Sequence, residues 1–184
     1  MRFPKIRKRY VMAMDTRRCV GCQTCVIACK SENGVPLNGY RDWIVTETKG
    51  AFPNLDMEIR SERCMHCTDA PCVNACPTGA SHYNRGGAVM VDHDLCTGCK
   101  ACIASCPYDA RYVHPEGYVD KCTFCMHRVK EGKNTACVEG CPTKALTFGD
   151  ITDPTSEFAK VLLENKHKVL KPEAGTDPNL YFIV

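Results

Sequence analysis

Sixteen cysteines dominate this chain of 184 residues, and they fall into four groups of four with none left over. In chain order, groups one to four are Cys19, Cys22, Cys25 and Cys29; Cys64, Cys67, Cys72 and Cys76; Cys96, Cys99, Cys102 and Cys106; and Cys122, Cys125, Cys137 and Cys141. Leu, Ile, Val and Phe together make up only about a fifth of the residues, which is low for a globular chain. We therefore expect the cysteines to help hold the fold together.

The spacing within the groups is regular. Groups one and three share the pattern C-x2-C-x2-C-x3-C, whereas group two has C-x2-C-x4-C-x3-C and group four has C-x2-C-x11-C-x3-C. Pro77, Pro107 and Pro142 directly follow the last cysteine of groups two, three and four, and Lys30 takes that place after group one. Disulfides, structural zinc sites and iron–sulfur clusters are the three interpretations of such a pattern.

Eight disulfides fit the number of cysteines but not the context. Pairs of the form C-x2-C are a poor framework for disulfides, which persist mainly in oxidising compartments. The basic segment Met1–Tyr10 is followed by no apolar stretch of signal-peptide length, and Arg17-Arg18 leads straight into cysteines. We therefore expect no export signal on this chain, which disfavours disulfides.

Four zinc sites would use the same sixteen thiols, but zinc has no use for three cysteines at i, i+3 and i+6 followed by a fourth and a proline. That run is the signature of bacterial ferredoxins, in which the last cysteine binds the neighbouring cluster. Three thiolates on a short turn reach three irons of one cubane, while backbone N–H groups point toward its sulfurs. The spacing therefore predicts four [4Fe–4S] clusters.

Clusters would change the charge of the protein. The polypeptide has a formal net charge of +3, to which sixteen thiolates add −16 and four oxidised cores add +8, which leaves about −5. Basicity therefore does not indicate a nucleic-acid partner. Four lysines beside cluster cysteines either raise a nearby reduction potential or are ordinary solvated side chains: Lys30, Lys100, Lys121 and Lys144.

An internal repeat organises the chain. Asp15–Cys22 and Asp92–Cys99 have the same layout, and each follows a strand-like run, Val11–Met14 and Ala88–Val91. Ala80–Tyr83 precedes the second of these runs across a Gly-rich turn, which predicts a hairpin that joins groups two and three.

Group one, near the start of the chain, is then expected to pair with group four, near its end. Val11–Met14 and Ala145–Phe148 would be the partner strands. Pairing of group one with group two is disfavoured by the 34 residues between Cys29 and Cys64. The residues therefore favour a nested arrangement of group two with three and group one with four.

The segments outside the groups give less specific predictions. Trp43, in an insertion over residues 31–63, is either a partner contact or a lid over a small core of the insertion. Asp153-Pro154 opens a helix in which Phe158, Val161 and Leu162 share one face. Leu180–Val184 is expected to be an apolar tail that docks on a partner.

No other chemistry stands out. His66 and His127 lie close to cluster cysteines, and each is either a hydrogen-bonding modulator of a cluster or an ordinary side chain; neither is needed as a ligand. The sequence contains no Ser–His–acid set, phosphate loop or dinucleotide-binding motif. No apolar run exceeds five residues, so no membrane span is predicted.

The four groups and their surroundings resemble the four-cluster electron-transfer subunit of membrane-bound molybdopterin oxidoreductases, of the polysulfide, thiosulfate and dimethyl sulfoxide reductase type. The resemblance covers roughly residues 8–150, including Cys19-Val20-Gly21-Cys22, Cys106–Tyr112 and Lys121–Cys125. It implies an α+β fold of two interleaved bacterial-ferredoxin-like domains, each with two [4Fe–4S] clusters. The implied division is residues 8–34 plus 118–150, an insertion at 35–57, residues 58–117, and a C-terminal helix and docking tail at 151–184.

The same resemblance implies four ligand sets. The first set is Cys19, Cys22, Cys25 and Cys141; the second is Cys29, Cys122, Cys125 and Cys137; the third is Cys64, Cys67, Cys72 and Cys106; and the fourth is Cys76, Cys96, Cys99 and Cys102.

The resemblance also implies partners and a location. The first-set cluster would face a molybdopterin catalytic subunit holding Mo or W, and the group-three cluster would lie nearest an integral membrane subunit that binds quinone. The chain would be a non-catalytic, peripheral subunit of a membrane-associated complex, assembled in the cytoplasm, with co-export to the periplasm favoured. The alternative is a polyferredoxin that serves a hydrogenase or a soluble dehydrogenase.

Overall fold

The computed structural model describes residues 8–184, so Arg2, Lys5 and Arg7 of the basic N-terminal segment lie outside the described residues. The elements are short and mixed. In chain order they are β1 (Tyr10–Asp15), α1 (Thr24–Asn33), β2 (Asp42–Ala51), β3 (Asn54–Arg63), α2 (Pro71–Asn74), β4 (Ser81–Tyr83), β5 (Val89–Val91), α3 (Ala101–Ala104), β6 (Tyr112–Val113), β7 (Val119–Asp120), α4 (Met126–Lys130), α5 (Ala136–Glu139), β8 (Leu146–Asp150), α6 (Glu157–Glu164), β9 (His167–Lys168) and β10 (Leu180–Ile183). None of the helices in this described part is long and apolar enough to cross a bilayer.

A four-stranded sheet with the order β8-β1-β10-β9 brings the two ends of the chain together. β1 and β8 pair antiparallel, with Met14 opposite Leu146 and Tyr10 opposite Asp150. This confirms the predicted partnership of Val11–Met14 with the segment after group four. β4 and β5 likewise form the predicted hairpin between groups two and three.

The C-terminal segment corrects one prediction. Leu180–Val184 is not an exposed docking tail, because β10 lies between β1 and β9 within the sheet. Leu180 and Phe182 are fully buried, and Ile183 is 2% exposed. The segment is apolar because its two faces fill the protein's own interior, as expected for a strand covered on both sides.

Helix α6 confirms the predicted apolar face but begins later than expected. Ser156 caps it by accepting a hydrogen bond from the Ala159 N–H at 3.2 Å, whereas Asp153-Pro154 belongs to the preceding turn. Phe158 is fully buried between the helix and the sheet. A Cβ at Gly149 would lie 2.7 Å from the Cβ of Phe158, so glycine is needed for α6 to approach β8.

The insertion contains a long hairpin that the sequence did not reveal. β2 and β3 pair over ten residues each, from Asp42 opposite Arg63 to Ala51 opposite Asn54. Only the base of this hairpin is buried. The sequence of the two strands therefore lacks the alternation of apolar and polar residues that predicts a half-buried strand. The hairpin also runs beyond the expected boundary at residue 57. Trp43 lies at the base and packs against the main core rather than over a separate small one.

The buried position of β10 gives a testable prediction. Phe182→Ala should lower the free energy of unfolding by about 3–5 kcal/mol, because it leaves a cavity between packed layers. The matched control is Leu163→Ala, since Leu163 is 84% exposed and should have little effect. Thermal unfolding of the anaerobically prepared protein measures both variants, and equal midpoints for the two would contradict the packing described for β10.

Candidate metal centres

The cysteines lie on tight loops that lead into short helices. In groups one and three, a left-handed residue, Gln23 or Lys100, precedes the helix that carries the third cysteine. The earlier Gly98 is also left-handed, and a Cβ there would lie 2.3 Å from the carbonyl oxygen of Gly117. The left-handed residues occupy equivalent positions in groups one and three, which reflects the internal repeat.

Two cavities gather the cysteines of groups one and four. The first is lined by all four cysteines of the first predicted set together with Met14, Ile44 and Leu146. The second is lined by all four cysteines of the second predicted set together with Met12 and Phe124. Groups one and four therefore meet in space, and each contributes thiols to both cavities.

The third predicted set is also brought together. Burial raises the pKa of Cys67 to about 12, and the neighbouring thiols of Cys64, Cys72 and Cys106 raise it as well. Cys72 likewise has its pKa raised by burial and by Cys64 and Cys106. For the fourth set, Cys76, Cys96, Cys99 and Cys102, the grouping stays a prediction.

Within residues 8–184, no group of three or more His, Cys, Asp or Glu side chains lies close enough together to hold a single metal ion.

Backbone N–H groups are directed at several sulfurs, in keeping with the predicted loop geometry. His66 and Phe124 donate to Cys64 Sγ and Cys122 Sγ, each at 3.4 Å. Further donors reach the last cysteines of groups two and four and the first cysteine of group three, from Ser81, Ala145 and Val119 at 3.3–3.4 Å. Such donors stabilise negative charge on a thiolate and raise the reduction potential of a bound cluster.

Three buried basic side chains lie among the cysteines. Arg63 donates to Cys137 Sγ at 2.9 Å, and Arg111 donates to Cys72 Sγ at 2.9 Å. Lys121 donates to the carbonyl oxygen of Cys122 at 2.6 Å. Burial lowers the pKa of Lys121, while the nearby thiolates oppose that shift.

Sequence reasoning identified only one of these three residues. Of the four lysines considered, Lys121 is buried, Lys100 and Lys144 are exposed, and Lys30 binds carbonyl oxygens of the loop at residues 36–39. Arg111 lies in the Cys106–Tyr112 motif but gave no signal of burial, and Arg63 precedes group two with nothing to distinguish it from a surface arginine.

The two histidines have different surroundings. His66 is fully buried and stacks on Phe124 with 3.7 Å between ring centroids. Burial holds the pKa of His66 well below its usual range, and its Nδ1 accepts from the Val89 N–H at 3.1 Å. His127 instead pairs with Glu32 at the surface, at 2.8 Å. His66 is therefore a neutral member of the core, packed between the cysteine sets.

Exposure differs between the sets. All four cysteines of the second set are buried, as are three of the third, whereas the first and fourth sets each contain one exposed cysteine, Cys22 or Cys99. Two sets therefore lie inside the protein and two open toward its surface.

Fold and site together define an iron–sulfur protein of the dicluster class. Two family models, both described as "4Fe-4S dicluster domain", match residues 55–151 and residues 18–80. Among similar proteins, a chain of the polysulfide reductase of Wolinella succinogenes is 45% identical over 180 residues, which cover 96% of this chain and 94% of the relative. A protein NrfC homolog of Haemophilus influenzae is 48% identical over 180 residues, covering 96% and 80%. A subunit of the tetrathionate reductase of Salmonella typhimurium is 40% identical over 183 residues, covering 96% and 73%.

The chain belongs to the family of iron–sulfur subunits of reductase complexes. It is an electron-transfer component and not a catalytic subunit, with two ferredoxin-like 4Fe-4S dicluster domains.

The close approach at Gly98 gives a second prediction. Gly98→Ala should prevent assembly of the cluster predicted at Cys96 and Cys99, because the new Cβ meets a backbone oxygen, and should remove about four irons per chain. Gly175→Ala is the matched control: Gly175 also has a positive φ, but its added Cβ would meet nothing within 4 Å. The control should keep its iron and lose about 1–2 kcal/mol of stability. Full iron in both variants, measured by chemical iron analysis, would contradict the steric argument.

Proposed function

We propose that this chain is a linear electron relay in which four [4Fe–4S] clusters are held by the four predicted ligand sets. The strongest support is that cysteines of groups one and four line the same two cavities, with four thiols in each. The nearest cysteines of these two groups, Cys29 and Cys122, are more than ninety residues apart in the sequence. When bound, each cluster supplies a one-electron centre. The chain's own residues hold the iron, direct N–H groups at the sulfurs and exclude water with apolar walls.

The neighbours of individual cysteines support one order of the sets along the relay. Cys137 acts on the pKa of Cys25, which relates the second set to the first. Cys64 acts on the pKa of Cys122, which relates the third set to the second. Arg111 is influenced by Cys72 and Cys102, which relates the third set to the fourth. The proposed order is therefore first, second, third and fourth.

The exposure of the cysteines supports the same order. The sets at the two ends contain Cys22 and Cys99, which are exposed, and the cysteines of the sets between them are mostly buried. Electrons would enter at one end and leave at the other, while the middle clusters stay shielded from water. We also propose that the domains interleave, with residues 8–34 and 118–150 around the first two clusters and residues 58–117 around the other two.

The partners are proposed from the family. Relatives are named as components of polysulfide and tetrathionate reductases. We place a molybdopterin catalytic subunit, with Mo or W, at the first-set end and a quinone-binding integral membrane subunit at the fourth-set end. The chain would be a peripheral subunit of this membrane-associated complex, on the periplasmic face after co-export.

Paired cysteine variants test the ligand sets. Cys19→Ser and Cys141→Ser should perturb the same paramagnetic resonance signal of the dithionite-reduced protein, because both remove a ligand of the first cluster. Cys29→Ser and Cys122→Ser should together perturb a different signal, that of the second cluster. If Cys141→Ser and Cys122→Ser remove the same signal, the proposed sets are wrong.

Isolation from the native host tests the relay and its partners. The anaerobically purified complex should contain about sixteen irons on this chain, a large molybdopterin subunit and an integral membrane subunit, and its brown colour should bleach with dithionite. Co-purification with a nickel–iron hydrogenase instead would favour a polyferredoxin. Far fewer irons, or zinc in their place, would rule out the four-cluster relay.

A further inference from the structure

Three basic side chains are buried in the interior, where an unpaired charge is costly. Arg63 and Lys121 are each 1% exposed, and Arg111 is 6% exposed. Each faces the thiols of two different cysteine sets. A buried cation next to two sets of thiolates acts electrostatically on both sets.

Arg63 lies between the first and second sets. Its guanidinium donates to Cys137 Sγ of the second set at 2.9 Å and also to Ser61 Oγ, which lies 3.5 Å from Cys25 Sγ of the first set. A buried carboxyl group, that of Asp42, pairs with Arg63 at 3.0 Å.

Arg111 occupies the equivalent place between the third and fourth sets. It donates to Cys72 Sγ of the third set at 2.9 Å and to Ser81 Oγ at 2.8 Å, and the Ser81 N–H donates to Cys76 Sγ of the fourth set at 3.4 Å. Unlike Arg63, it has no carboxylate within ion-pair distance in the described part of the chain, and its Nε and Nη1 have no partner there.

Lys121 lies between the second and third sets. Its ammonium group donates to the carbonyl oxygens of Val89 and Cys122. The thiols that act on it most strongly are Cys64 and Cys72 of the third set and Cys122 of the second. No carboxylate pairs with it among residues 8–184.

One buried cation therefore stands at each of the three junctions between successive sets. Four thiolates around an oxidised [4Fe–4S] core carry a net −2, and reduction adds one further negative charge. A nearby fixed positive charge stabilises the reduced state more than the oxidised state and so raises the reduction potential. The third set is flanked by two cations, Lys121 and Arg111, neither of which is paired with a carboxylate.

We propose that these buried cations set the order of potentials along the relay, and that the third-set cluster, between Lys121 and Arg111, is the most readily reduced of the four. This inference rests on the ligand sets of the proposed function. Electrons would collect at this interior cluster before they pass to either end. Lys121 and Arg111 are positioning residues that act through the clusters and touch no substrate.

The test is a potentiometric titration of the intact complex, followed by paramagnetic resonance, with the third-set signal identified in a Cys67→Ser variant. In the wild type, the third-set cluster should be reduced first. Lys121→Gln should lower the potentials of the second and third clusters, and Arg111→Gln those of the third and fourth. Each shift should reach at least a tenfold change in the reduction equilibrium, which is about 59 mV for a one-electron couple.

Two matched variants separate charge from structure. Lys121→Arg keeps the charge and should leave the potentials of the second and third clusters unchanged. Lys100→Gln removes an exposed lysine next to Cys99 in the sequence, and it should shift every cluster potential by less than Lys121→Gln does. The proposal would be overturned if the third-set cluster did not have the highest reduction potential of the four in the wild type. This measurement is possible even if a substituted chain fails to assemble. Unchanged potentials in Lys121→Gln and Arg111→Gln would overturn it too. Fewer than four cluster signals in the wild type would instead count against the relay itself.

Discussion

The gathering of buried thiols in the interior is the constraint on which this structure depends. Burial raises the pKa of Cys25 to about 11 and that of Cys122 to about 12, and it raises the pKa of Cys29 further still. Such pKa values favour the neutral thiol at neutral pH, and binding of a metal would favour the deprotonated form inside the protein. About a third of the buried residues of the main core are cysteines, so a bound metal would stabilise the fold as well as its own site.

Much of the fold follows from local sequence patterns, and the failures have a common cause. The β1–β8 pairing, the β4–β5 hairpin and helix α6 were all predicted, because short apolar runs or helical spacing mark each of them. The β2–β3 hairpin was missed because its outer half is exposed to solvent on both faces. The segment Leu180–Val184 was misjudged because an apolar strand within a sheet and an apolar docking segment have the same composition.

The site also has a part that the sequence predicts and a part that it does not. Cysteine spacing predicts the donors, because the chemistry of a cluster dictates how far apart its thiolates lie along the chain. The buried arginines are not predictable in this manner, since Arg63 and Arg111 reach the cysteines from outside the groups' own loops. Their contacts nevertheless match: each arginine binds one sulfur and one serine, and the serine lies next to a cysteine of the adjacent set. The two halves of the molecule therefore each place an arginine between two cysteine sets, although the two arginines occupy different positions relative to the cysteine groups in the sequence.

Helix α1 carries Cys25, which lines the first cavity, and Cys29, which lines the second. Four helical residues span only about 6 Å, so in the proposed relay one turn of helix would set the spacing of the first two centres. Tunnelling between those two centres would then depend little on the docking of another subunit.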